Sequence, residues 1–159
     1  MKRILTFITI ISLFTACTTE EVVEVQNNFI AAQSFERTVD LVAPNYEQTF
    51  SIPTNIELFE TDMVLAYHLV GVDADGFDIW RLLPDTVFTS TGEQFQYNFE
   101  HSFDLITLFI DAPSTFDFNS LLQGDTLDQT FRIVILPVDF INSNNIDATN
   151  FSEVMSYVK

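Results

Sequence analysis

The chain has 159 residues, with six Lys and Arg against 23 Asp and Glu, and a formal net charge of −17. So much negative charge repels phosphate backbones and anionic head groups, which excludes nucleic acid as a partner. One cysteine excludes an internal disulfide framework, and the length fits one domain.

The first residues read as a targeting segment. Lys2 and Arg3 form a basic head, and Ile4 to Phe14 is an apolar run of eleven residues. That run is too short to cross a bilayer as a helix, and it ends on the small residues Thr15 and Ala16. Cys17 follows at once. The stretch LFTAC resembles the lipobox of bacterial lipoproteins, with Phe14 standing where leucine is usual. The resemblance implies a signal peptide over 1–16, cleavage before Cys17, and acyl chains on its thiol. The alternative is an ordinary signal peptide cut near Ala16 with an incidental thiol. Each buried methylene contributes about 0.8 kcal/mol, so two or three acyl chains make a stable anchor. Removing Lys2 and Arg3 leaves only Arg37, Arg81, Arg132 and Lys159 as cations.

Residues 17–28 read as the lipidated cysteine and an acidic tether, with Glu20, Glu21 and Glu24 facing solvent. Its eleven residues after Cys17 reach roughly 35 Å when extended. Acidic residues directly after the cysteine also resemble the export signal of surface-displayed lipoproteins in Bacteroidota.

From Phe29 to Lys159 the pattern is that of one β domain. Strands are expected over 37–42, 46–52, 63–72, 77–83, 95–99, 103–110 and 130–136. Turn signals fall between them at Pro53, Asp75-Gly76, Pro84, Thr91-Gly92, Pro113, Gln123-Gly124 and Pro137. About seven strands at this spacing predict an all-β, antiparallel sandwich or barrel. The strands at 63–70 and 103–110 are apolar on both faces, so something must cover the second face. The expected cover is a short C-terminal helix. Phe151, Val154, Met155 and Val158 share one helical face. Asn150 with Glu153 forms a helix-start signal, and Lys159 suits a helix end. All but Phe7 and Phe14 of the 17 phenylalanines lie in the domain, and these predict a Phe-rich core.

Chemical motifs are sparse. The stretch GVDADGFDIW, residues 71–80, places Asp73 and Asp75 as an EF-hand loop would, but Phe77 and Pro84 occupy later ligand positions. It reads as a hairpin tip, with a looser calcium site on Asp73, Asp75 and Asp78 as the alternative. His68 lies within an apolar strand and reads as a satisfied core residue. His101 reads as a turn residue. HxH, HExxH, GxSxG, P-loop and GxGxxG patterns do not occur. Arg81 is expected to pair with Asp78 or Asp85, to stack on an aromatic ring, or to face solvent.

The blocks GFDIWRLLPDTVF, EQFQYNFEHSFDLITLFIDA, TFRIVILPVDF and FSEVM resemble a group of small Bacteroidota lipoproteins, some of them labelled collagen-like. Here TTEEVVEVQNN follows Cys17 in place of a Gly-Pro segment, so the collagen-like label does not carry over. The resemblance implies lipidation and an envelope location, most simply the outer membrane, and brings no catalytic residue. The expected function is a non-catalytic interaction or structural module on a membrane through its N-terminal lipid. The alternative is a glycan- or peptide-binding accessory protein using exposed aromatics such as Trp80 or Tyr97. A calcium-stabilised module and an enzyme rank behind both. No cofactor is expected; calcium on Asp73, Asp75 and Asp78 is the minor alternative.

Overall fold

The computed structural model describes residues 32–158, so Cys17 and the segment before Ala32 lie outside the described residues, as does Lys159. Eight strands form two antiparallel sheets. They are β1 (Gln33–Val39), β2 (Glu47–Ser51), β3 (Met63–Val72), β4 (Asp78–Leu82), β5 (Asp85–Phe88), β6 (Gln94–His101), β7 (Leu105–Asp111) and β8 (Gln129–Leu136). One sheet has the order β1-β8-β3-β4, the other β2-β7-β6-β5. The architecture is a sandwich, not a closed barrel. The strand expected over 37–42 runs instead from Gln33 to Val39, and the strand absent from the expectation is β5. It has only four residues, directly after Pro84, too few to show an alternating pattern.

Between the sheets lies the main core. Strict alternation sends Phe131, Ile133 and Ile135 of β8, Val64 and Ala66 of β3, and Ile106, Leu108 and Ile110 of β7 into it. Between them on β3 and β8, Tyr67, Val134 and Leu136 are buried and Leu65 is half-buried. Leu65, Tyr67, Val134 and Leu136 face a second apolar layer beneath helices α2 (Val138–Asn144) and α3 (Phe151–Ser156). A further short helix, α1 (Gln123–Thr126), precedes β8. The β1-β8-β3-β4 sheet is therefore the middle of three layers. This explains its apolar character on both faces.

The expected C-terminal helix is present as α3. Asn150 caps it by accepting from the Glu153 backbone N–H at 3.3 Å. Glu153 turns its own carboxylate to the Asp147 N–H instead of completing a reciprocal box. The sequence reading missed α2. Its apolar residues number only three, and it ends after about two turns at Asn145, in a left-handed cap at φ 51°. Ala32 and Val158 form a parallel bridge, so the two ends of the described chain meet.

The hairpin tip is as expected. Asp73 N–H donates to Phe77 O at 2.8 Å, and Asp73 Oδ1 accepts from the N–H groups of Asp75 and Phe77. Gly76 has φ +88°, a conformation that glycine adopts without strain.

The Phe-rich core needs correction. Phe95, Phe116 and Phe131 are buried, but Phe59, Phe77, Phe88 and Phe103 are exposed. The centre of the main core is largely Ile, Leu and Val, with Phe35, Phe50, Phe99 and Phe118 packed against it from partly buried positions. Exposed Phe residues sit at loop ends, where alternation imposes no inward direction.

Tyr67, in the layer beneath the helices, is buried and its hydroxyl has no hydrogen-bond partner among the described residues. Burial pushes its phenol from 10.0 up to about 12. The folded state therefore holds the proton more tightly than the unfolded chain. Stability from this group is full below pH 10 and declines as pH rises through about 12. Tyr67→Phe should raise stability by about 1 kcal/mol at neutral pH, because an unsatisfied polar atom is removed. It should also flatten the alkaline decline. Urea unfolding at neutral pH and across the alkaline range checks both.

Candidate functional site

Five strands and α1 converge on one cavity of about 440 Å³, lined among others by His68, Arg81, Asp85, Tyr97, Asp125 and Gln129. Alternation on β3 directs His68 into the space between the sheets, beside Phe131 of β8 and Tyr97 of β6. The imidazole lies 4.3 Å from the Tyr97 ring and 5.0 Å from the Phe131 ring, measured between centroids. Asp85 reaches the same space because it opens β5 directly opposite Tyr97 on β6.

The hydrogen bonds fix proton positions. Gln129 Nε2 donates to the carbonyls of Gly124 at 2.9 Å and Leu127 at 2.6 Å. Its amide hydrogens are thereby used, and Oε1 is left as the acceptor facing His68 Nε2 at 3.1 Å. His68 Nε2 must then carry a proton. On the other side, Nδ1 stands 3.3 Å from Asp85 Oδ2. Arg81 Nη1 approaches Asp85 Oδ1 at 3.4 Å from a side chain that is 57% exposed.

Of the three expectations for Arg81, pairing with Asp85 is the one observed. His68 is the satisfied core residue expected. His101, expected in a turn, is instead the exposed last residue of β6. Tyr97 is only 2% exposed, so it is not an aromatic platform. Its hydroxyl donates to Asp125 O at 2.7 Å, and burial with the nearby Asp125 and Asp85 charges pushes its phenol up. Trp80 is half-buried. Its indole face is covered by the Arg132 guanidinium at 4.0 Å, and its ring stacks on Phe151 of α3. Glu36 Oε1 accepts from Arg132 Nε at 2.9 Å and Nη2 at 2.6 Å.

Chemically, the cluster is a buried link between sheets. Both imidazole nitrogens are bonded to protein groups, and both carboxylate oxygens of Asp85 have partners. Gln129 was not singled out in the sequence, because a polar first residue of a strand carries no signal by itself. Among the described residues, no group of three or more His, Cys, Asp or Glu is placed to hold a metal ion. Asp73, Asp75 and Asp78 lie on the exposed hairpin, with one Asp73 oxygen already committed to backbone N–H groups. No helix among the described residues is long and apolar enough to cross a membrane.

Comparison of the chain with protein-family models, with curated proteins and with solved structures returns no match.

His68→Leu leaves Asp85 and Gln129 buried without their shared partner, and should cost about 3 kcal/mol in urea unfolding. Arg81→Ala removes an exposed partner and should cost less than ~1 kcal/mol.

Proposed function

We propose that this chain is a lipid-anchored envelope protein whose β-sandwich acts as a non-catalytic interaction module. The observation that carries the reading is the position of Cys17. It closes an eleven-residue apolar run behind a basic head, in the LFTAC context of a lipobox. The described domain begins at Ala32, which leaves fourteen residues between it and Cys17. An outer-membrane location, with possible display at the cell surface, follows the resemblance to Bacteroidota lipoproteins.

Support for a non-catalytic role comes from the enclosed His68 network. A general base needs a free nitrogen or oxygen within reach of substrate. Here the only buried histidine has both nitrogens engaged. The second reading, an accessory protein that binds peptide or glycan, is favoured by aromatic rings held out to solvent at Phe59 and Phe103. Glycan stacking on Tyr97 or Trp80 is the weaker form of that reading, since one ring is buried and the other has a face taken by Arg132.

Cells grown with labelled palmitate should yield a labelled band for this polypeptide in the membrane fraction. The Cys17→Ser form should be unlabelled and recovered in the aqueous fraction. An unlabelled, freely soluble wild-type protein would overturn the reading.

A further inference from the structure

At one end of the sandwich, the loop 53–62 between β2 and β3 lies against the turn 102–104 between β6 and β7. Ile52 N–H donates to Asp104 O at 2.9 Å and joins the two. Each is braced on its own account. Asp62 Oδ2 accepts from Phe59 N–H at 2.9 Å, while Asp62 N–H donates to Phe59 O at 2.9 Å. Ser102 N–H donates to Leu105 O at 3.0 Å. These bonds fix turns that hold Phe59 47% exposed and Phe103 71% exposed. Large rings are kept in water by built turns, at the expense of the burial that each could contribute.

Around these rings is a groove. Two cavities, of about 580 and 300 Å³, share Leu58, Phe59, Glu60 and Phe103. The floor is apolar. The rim adds Glu57, Asp104 and, in the smaller cavity, His101, and among the described residues no Lys or Arg lines either cavity. A concave, largely apolar slot whose carboxylates outnumber its single histidine is complementary to a cationic chain with a bulky apolar side chain. A flat bilayer would leave those carboxylates desolvated without partners. A second copy of this chain, itself at −17, would bring like charge to the same rim.

The groove also has a definite position. Gln33 pairs with Ile135, and Met63 with Leu136, so β1 and β3 both begin at this end. The chain therefore arrives from its N-terminal segment at the pole that carries the groove. Fourteen residues reach at most roughly 45 Å.

We infer that the Phe59–Phe103 groove docks a basic peptide segment with an aromatic or large aliphatic anchor, belonging to a partner protein close to the membrane surface. The inference rests on the anchored-module reading for the partner's location, but not for the contact itself.

The test uses the full chain with Cys17→Ser, so that its outcome does not depend on lipidation. The probe is a fluorescent synthetic peptide of Arg and Trp in a Gly-Ser background, followed by anisotropy. One control peptide has Trp replaced by Ser, and another has Arg replaced by Glu. The Arg-Trp peptide should bind, and both controls should bind at least about ten-fold more weakly. Phe59→Ser and Phe103→Ser should each weaken binding by about ten-fold. Phe77→Ser, which removes an equally exposed ring from the opposite pole, should change nothing. Glu57→Gln with Glu60→Gln should flatten the salt dependence. All the substituted rings are exposed, and thermal melting verifies that each variant is folded. Binding that survives Phe103→Ser would mean attraction to the acidic surface as a whole, and would overturn the inference. So would Phe103-dependent self-association in sedimentation, or Phe103-dependent capture of the Cys17→Ser chain by neutral phosphatidylcholine vesicles.

Discussion

The β1-β8-β3-β4 sheet is apolar on both faces, and both faces must be kept from water. That constraint organises the molecule. One side is closed by the facing sheet, the other by α2 and α3. Neither helix is long enough to be stable alone. Each exists because Val134, Leu136 and Tyr67 offer a surface to pack on, and burying one such side chain contributes about 1.5–3 kcal/mol. Conversely, the outer surface of the β2-β7-β6-β5 sheet carries polar pairs. Thr49 and Thr107 share a hydrogen bond at 2.9 Å, and Gln96 donates to Thr86 at 2.9 Å. Water can serve as the neighbour there.

Within the main core the polar exception is His68. It joins β3 to β5 through Asp85 and to β8 through Gln129, while Tyr97 and Phe131 hold its ring. Apolar contacts alone tolerate small slides of one sheet over another. A hydrogen-bonded link has a narrow range of distance and angle. The cluster therefore suits fixing the relative position of the sheets more than chemistry, and it separates a rigid middle from the two ends. The exposed rings are at those ends: Phe59 and Phe103 at one, Phe77 at the other.

The strand pattern was legible wherever alternation or a long apolar run extended over five or more residues, as in β2, β3, β6, β7 and β8. The two-sided apolar character of β3 also showed that a cover was needed, whereas the same expectation for 103–110 is not met: β7 belongs to the other sheet, with Leu105 exposed and Thr107 bonded to Thr49 on its outer face. β5 was invisible because four residues after a proline show no period. α2 was invisible because its Asn-rich second half resembles a loop. At the site, His68 was correctly read as a core residue, but its partners come from 17 and 61 positions away, a distance over which no local pattern carries information. Trp80 and Tyr97 were misjudged for the same reason. Whether a ring faces solvent depends on Arg132, Phe151 and Asp125, each remote in the chain. The groove was missed because Phe59 and Phe103 looked like further core residues in a Phe-rich sequence.

The bridge between Ala32 and Val158 and the ladder that follows it have a mechanical consequence. A pull delivered through the N-terminal segment enters at the end of β1 and runs along its length. All seven residues of that strand are paired with β8, from Gln33 opposite Ile135 to Val39 opposite Gln129. Where the opposing force acts at the far end of the sandwich, such a load shears the whole row of hydrogen bonds together instead of peeling them one at a time. The strand that opens the described domain is thus held along its whole length rather than at one point.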